Sequence, residues 1–233
     1  MKSFNYKPHI DGLRAIAVIP VVLFHAGFDL FKGGFVGVDI FFVISGYLIT
    51  SLIISQLQNN KFSLVEFYIR RARRILPILF FITLITIPFA IILMLPEDLK
   101  VYSSSVFSVI TFVSNFFFWK NTGYFGPSSE TQPLLHIWSL GVEEQFYLFF
   151  PLFLIFIWRW NKSYLNRLII IILFISLLLA QIGGNFKIQN LSFAYPFFYL
   201  PFDFFWQAGS ANFYLPFGRV WELMFGSLTS LYL

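Results

Sequence analysis

Long apolar runs, separated by short polar connections, make up most of this chain. Each run lasts for about 17 to 25 residues, the length that a helix needs to cross a bilayer. A membrane β-barrel would instead show alternating segments of about ten residues. We therefore predict an all-α fold, a polytopic transmembrane helical bundle with about six or seven spans. The candidate spans are 10–28, 34–57, 75–95, 103–119, 134–158, 167–182 and 213–233.

The composition leaves little material for a water-facing surface. Hydrophobic residues make up 58% of the chain and charged residues only 12%, roughly half the charged fraction of a soluble domain. The net charge is +5; several basic residues lie in the connections, where they orient a membrane protein, so no nucleic-acid partner is expected. Cysteine is absent, which excludes disulfides and thiolate metal sites. Because no repeat or linker divides the chain, we expect one membrane domain over 1–233.

Basic residues beside the spans predict the orientation of the chain. The lysines near the N-terminus and the basic connection 61–74 favour a cytoplasmic N-terminus, since Lys and Arg near span ends collect on that side. If all seven candidates cross the membrane, the basic loop 159–167 falls outside. If 103–119 is only a half-span, the loop falls inside, and we favour seven spans. The aromatic, proline-containing segment 191–206 is expected to be an interfacial loop.

The first span carries Arg14 and His25, eleven residues apart. At about 100° per residue this spacing returns to nearly the same face of a helix, about 16 Å further along its axis. Ionisable groups at membrane depth usually face an interior cavity, which favours a functional pair. The alternative is that Arg14 extends to the cytoplasmic surface and His25 marks the outer interface.

A polar stripe follows one face of the fifth candidate span. His136, Ser139, Glu143 and Tyr147 fall within about 80° of arc on a helix. Such a stripe lines a cavity or a contact between helices, and for Ser139 and Tyr147 structural hydrogen bonding is an equal explanation. Glu143 is harder to explain in this way, because a buried carboxylate needs a cationic partner or a proton.

Three further charged residues need partners within the membrane. Arg219 and Glu222 are three residues apart, which allows an ion pair within one helix. Alternatively, Arg219 neutralises Glu143 on another helix. Asp39 in the second candidate span is an acid for which the sequence names no partner.

Four arginines precede the third candidate span. A guanidinium can bond two phosphate oxygens at once, so the cluster suits a nucleotide-containing donor at the cytoplasmic surface. A basic cluster at this position is equally what membrane topology and anionic lipid favour. No glycine-rich phosphate loop, zinc-ligand spacing or nucleophile elbow occurs, and no metal is expected. The cluster consists of Arg70, Arg71, Arg73 and Arg74.

At these residues the chain resembles the acyltransferase 3 family of polytopic bacterial membrane O-acyltransferases. The similarity is carried by five ordered blocks, which lie at 10–25, 34–50, 67–77, 136–147 and 219–223. The resemblance implies transfer of an acyl group, expected to be acetyl, from acetyl-CoA or another acyl-CoA to a carbohydrate hydroxyl of a cell-surface glycan. It also implies the bacterial cytoplasmic membrane as location. The family's Arg-x10-His signature falls on Arg14 and His25, and its paired-arginine motif on the cluster before the third span.

The resemblance also suggests roles for individual residues, and it shows one difference between this chain and the family. His25 is expected to act as general base towards the acceptor hydroxyl, or to carry the acyl group transiently. Arg14 would lie near the phosphates of the donor, and Glu143 would complete the catalytic group. Because family members usually have about ten spans, we expect a C-terminally truncated member, and the candidate partners include a domain outside the cytoplasm. Substrate contact or helix packing is expected for Asp39, His136, Ser139, Arg219 and Glu222.

Two other functions fit the same pattern. A transporter or lipid flippase would also line its path with a polar stripe, although it often shows an internal repeat, which we do not find. An inactive fragment that serves as a scaffold is the second alternative.

Overall fold

The structure, a computed structural model, describes residues 8–121, 132–185 and 208–232. Within these ranges the chain forms α-helices and short 3-10 turns and no β-strand, which confirms the all-α class. The predicted interfacial loop 191–206 lies outside the described residues. The helices are α1 Pro8–His25, α2 Gly37–Gln58, α3 Leu64–Leu93, α4 Pro96–Ile110, α5 Ser114–Asn121, α6 Trp138–Trp160, α7 Leu165–Asn185, α8 Ala208–Tyr214 and α9 Val220–Tyr232.

Five helical segments in the described part of the chain are long and apolar enough to cross a membrane. They coincide with five of the seven predicted spans, and they identify the chain as a membrane protein. The third begins earlier than predicted, at Leu64, because the Ser63 side chain caps the helix by accepting the Glu66 backbone N–H. The five segments are Pro8–His25, Gly34–Gln58, Leu64–Leu93, Leu135–Trp160 and Lys162–Ile182.

The two remaining candidates are not single long helices in the described part of the chain. Segment 103–119 is divided between α4 and α5, and Phe112 between them has a φ of 57°, the left-handed region that ends an α-helix. Segment 213–233 is interrupted by a 3-10 turn at Pro216–Gly218, and α9 has only 13 residues. Proline and glycine explain the second interruption, since neither favours a helix interior.

The chain divides into two compact units. The first contains 1–62, 147–177 and 219–233, and the second contains 63–146 and 178–218. The single domain expected over 1–233 therefore remains a prediction.

In the first unit, α2 and α9 cross at very close range. Gly46 and Gly226 make this approach possible, because a Cβ at either position would overlap a backbone carbonyl oxygen of the other helix. The Thr50 hydroxyl donates to Ser227 Oγ at 2.8 Å. Small residues and hydrogen-bonded hydroxyls of this kind are typical contacts between membrane helices.

The contacts between α2 and α9 also give their relative direction. Asp39 bonds to Arg219 just before α9, Gly46 faces Leu223, and Thr50 bonds to Ser227. Residue numbers increase along both helices in the same order. The two helices therefore run parallel.

In the second unit, one side chain of α6 supports the junction of α4 and α5. Gln145 Nε2 donates to the Phe112 carbonyl at 2.8 Å and to Asn115 Oδ1 at 2.9 Å. The Ser114 hydroxyl donates to the Ile137 carbonyl at 3.2 Å. These bonds supply partners for groups that a continuous helix would have satisfied itself.

Candidate functional site

A cluster of three charged side chains links α2 to the start of α9. Arg219 donates from Nη1 to Asp39 Oδ1 and to Glu222 Oε1, the second bond at 2.8 Å. The structure thus forms the ion pair between Arg219 and Glu222, and it supplies a cation for Asp39, whose partner the sequence does not name. The alternative pairing of Arg219 with Glu143 joins residues of the two units and remains a prediction.

Because the cluster is buried, each of its charges matters for the stability of the protein. The Glu222 side chain is fully buried, and its Oε2 has no hydrogen-bond partner among the described residues. The side chains of Arg219 and Asp39 are largely buried. Loss of one member of such a group is strongly destabilising, because the remaining charges stay buried without compensation.

Arg14 and His25 lie in different surroundings on α1. The Arg14 guanidinium lies over the ring of Phe41 on α2, 4.8 Å from its centroid, a cation–π contact that ties α1 to α2. His25 is the last residue of α1 and is exposed. The described residues therefore do not enclose the imidazole in a cavity of their own.

The orientation of the His25 ring matters for its chemistry. Nδ1 lies 2.8 Å from the Val21 carbonyl oxygen one helical turn earlier, and the ring packs edge-on against Phe24. A neutral imidazole in this position donates its Nδ1–H to the carbonyl, which leaves the basic lone pair on Nε2.

The predicted stripe near the start of α6 is only partly buried. His136 lies in a 3-10 turn before the helix and is exposed, whereas Glu143 and Tyr147 are buried. The Ser139 hydroxyl donates to the His136 backbone carbonyl at 3.3 Å, which favours a structural role for Ser139. The neighbouring Gln145 was not singled out in the sequence, although it supports the junction of α4 and α5.

The four arginines of α3 are not equivalent. Arg70 pairs with Glu66 at 3.2 Å on the surface. Arg71 is half-buried, lies over the Phe67 ring, and is close enough to Glu144 for its charge to act on that carboxyl. The remaining two, Arg73 and Arg74, are exposed.

A groove of about 580 Å³ opens between α4 and α5 in the second unit. None of the predicted site residues lines it. The groove could not be predicted from the sequence, because its walls come together only through the break near Phe112, within a segment for which a continuous span is favoured over a half-span. Its lining residues are Ser103, Ser104, Phe107, Ser108, Val113, Phe116, Phe117, Lys120 and Asn121.

Among the described residues no group of three His, Asp or Glu side chains is placed to hold a metal ion.

The chain matches a known protein family over nearly its whole length. Residues 8–231 match the family model described as an acyltransferase domain. No solved structure matches the chain.

Several curated proteins are similar to this chain. Peptidoglycan O-acetyltransferase OatA of Listeria monocytogenes is 42% identical over 163 residues, which cover 69% of this chain and 26% of that protein. O-acetyltransferase OatA of Staphylococcus aureus is 43% identical over 159 residues, 67% of this chain and 26% of that protein. A putative O-acetyltransferase of Staphylococcus aureus, SAS0844, is 41% identical over 156 residues, 66% of this chain and 26% of that protein. The aligned region thus spans about a quarter of the length of each relative.

Proposed function

The chain belongs to the acyltransferase domain family, and from this premise we propose that it transfers an acetyl group from an acyl-CoA to a hydroxyl of a cell-wall glycan. The acyl-CoA would bind from the cytoplasm, and the glycan would lie on the other side of the bacterial cytoplasmic membrane. The observation that carries the proposal is the match of the family model to residues 8–231, which include both members of the Arg14 and His25 signature.

The parallel arrangement of α2 and α9 supports the proposed order of crossings. If α1 leaves the cytoplasm, α2 returns to it, and α9 must return as well because it runs parallel to α2. We propose crossings by α1, α2, α3, α6, α7 and α9, with no net crossing by α4 and α5, and this order gives α9 the direction of α2. Under this topology, the basic connection 61–74 and the basic loop 159–167 both lie in the cytoplasm, as the distribution of Lys and Arg requires.

His25 is the proposed general base. With its Nδ1–H bonded to the Val21 carbonyl, Nε2 would accept the proton of the glycan hydroxyl. The hydroxyl oxygen would then form the new ester bond at the thioester carbonyl, and the carbon–sulfur bond would break. The CoA thiolate would leave and take up a proton. The exposure of His25 supports this role, because substrates must reach the ring.

Two arginines of α3 are proposed to hold the phosphates of the donor. Arg73 and Arg74 are exposed on α3 and can meet phosphates at the cytoplasmic surface. A contact of Arg14 with the donor stays a prediction from the sequence.

The charge of Arg71 is compensated by the carboxyl of Glu144 in the same unit. We therefore assign Arg71 a positioning role towards Glu144. Glu143 lies in the other unit from Arg14 and His25, so its catalytic role stays a prediction from the sequence.

The test of His25 is acetylation of glycan by membranes that contain the chain. His25→Ala is expected to lower the rate by about 100-fold or more, the typical contribution of a general base. His9→Ala is the matched control, since His9 is an exposed histidine on the same helix. Wild-type acetylation by His25→Ala would show that the imidazole is not the base, and transport of a solute without any acetylated product would favour a transporter.

A further inference from the structure

We propose that the turn from α6 to α7 binds an anionic phospholipid with two phosphate groups, one held by Arg159 and the other by Arg167. All the residues involved lie within 147–177, which belong to the first unit. The inference does not rest on the proposed acyl transfer, because it concerns the lipid around the protein and neither the donor nor the acceptor.

The turn from α6 to α7 is short and basic. Residues 161–164 separate the two helices. The Asn161 side chain accepts the Ser163 backbone N–H at 2.9 Å, a bond that stabilises the turn. The cations Arg159, Lys162 and Arg167 therefore collect at one end of the two helices.

No opposite charge neutralises these three cations. Their side chains are exposed, and none of them takes part in an ion pair among the described residues. The sequence contains no Asp or Glu between Glu144 and Asp203. Unpaired cations in a region without acids attract an anion, so the charge of the turn complements a phosphate group.

Aromatic rings accompany two of the cations. Lys162 Nζ lies 4.3 Å from the ring centroid of Trp158, and Arg167 Cζ lies 5.9 Å from that of Tyr164. Tyr164 is exposed, as is Trp160 at the end of α6. Because Trp and Tyr favour the headgroup region of a bilayer, the rings place the cations at the depth of the lipid phosphates.

Each of the two arginines heads a stripe of exposed apolar side chains on its own helix. The members of a stripe lie three, four or seven residues from the arginine, and these spacings share one face of an α-helix. Acyl chains can pack along the stripes while the phosphates bond to the guanidinium groups. The stripes are Leu152 and Phe156 with Arg159, and Ile171 and Phe174 with Arg167.

Two arginines on two helices suit a lipid with two phosphates. A guanidinium can bond two oxygens of one phosphate, so Arg159 and Arg167 can each hold one, with Lys162 between them. A lipid with one phosphate would occupy one arginine and one stripe. Diphosphatidylglycerol, with two phosphates and four acyl chains, can occupy both, and because its halves are linked the second phosphate binds at a high effective concentration.

Lipid binding is measured by native mass spectrometry of the full chain in a neutral detergent, to which diphosphatidylglycerol is added. Phosphatidylglycerol at the same phosphate concentration is expected to bind about tenfold more weakly. Arg159→Gln and Arg167→Gln are each expected to weaken diphosphatidylglycerol binding about fivefold, and the double variant about twentyfold. Because both side chains are exposed, the unfolding temperature without lipid should not change.

The matched control is Arg70→Gln, since Arg70 is an exposed arginine whose charge Glu66 already pairs. This variant should bind the lipid normally. Equal weakening by Arg70→Gln would overturn the proposal, because binding would then follow total charge. Equal affinity for phosphatidylglycerol would refute the site for two phosphates. Displacement of the lipid by inorganic phosphate at the same concentration would show that the acyl chains contribute nothing, and it too would overturn the proposal.

Discussion

The crossing of α2 with α9 and the junction of α4 with α5 both place small polar residues inside apolar runs, yet they use them in opposite ways. At the crossing, Gly46 and Gly226 bring the backbones together and Thr50 bonds to Ser227, so the small residues face a neighbouring helix. Near the junction, Ser103 and Ser104 donate to the Lys100 carbonyl of their own helix and remain exposed.

The difference shows that a serine in an apolar run can have either of two roles in a membrane protein. Where a second helix covers it, its hydroxyl stabilises the contact and the surface is closed to ligands. Where no helix covers it, the same hydroxyl leaves acceptor capacity for something outside the chain. The residue type is the same in both cases, so the role depends on whether another helix packs over the serine.

The largest expected contrast between the two regions is in access from outside the cell. Because these 233 residues contain no cysteine, a single introduced thiol is the only one in this chain. In intact cells, Ser104→Cys should react with a membrane-impermeant maleimide, and Ser227→Cys should react only after denaturation, since Ser227 is fully buried. Gln58→Cys at the end of α2 should react only in permeabilised cells. Reaction of Gln58→Cys in intact cells would reverse the proposed orientation.

The next contrast is in stability, and it lies at the crossing. Arg219→Leu leaves the carboxyls of Asp39 and Glu222 without their cation and is expected to cost about 3 to 5 kcal/mol. Thermal unfolding in detergent measures this loss. The triple variant Arg219→Leu, Asp39→Asn, Glu222→Gln should recover much of it, because no charge remains unpaired. An unchanged unfolding temperature in Arg219→Leu would mean that the cluster does not hold the helices together.

The smallest effect is expected at the junction. Gln145→Leu removes the donor to the Phe112 carbonyl and to Asn115, at a cost of about 1 to 2 kcal/mol. Hydrogen exchange should become faster for amides of 111–116 and stay unchanged in α2 and α9. The exposed Gln58→Leu is the control. Equal exchange in both variants would show that the junction holds its angle without Gln145.

Much of the fold could be predicted from the sequence, and the reason is physical. Each of the five spans is a long apolar helix, and in a bilayer the length and polarity of a segment nearly determine its structure. The junction near Phe112 could not be predicted in this way. Hydroxyls that bond to carbonyls three or four residues earlier are compatible with a continuous helix, and the left-handed residue is supported by Gln145, which lies 33 residues further along the chain.

The candidate site was predictable only as a set of residues. The sequence identified Arg219, Glu222 and Asp39 as charges in need of partners, but it left open which of them meet. The choice depends on how closely α2 approaches α9, and the two glycines at the crossing allow an approach that charge alone does not indicate. The arginines of α3 give the same lesson, since Arg71 and Arg74 share one motif and differ in burial.

One turn of α2 makes contact with cations from two other parts of the chain. Phe41 lies under Arg14, and Asp39, two residues earlier, accepts from Arg219. A tilt or rotation of that turn moves both contacts at once. A bound molecule that displaces Arg14 would therefore also shift Arg219 at the start of α9. A shift of α9 would in turn move Arg14.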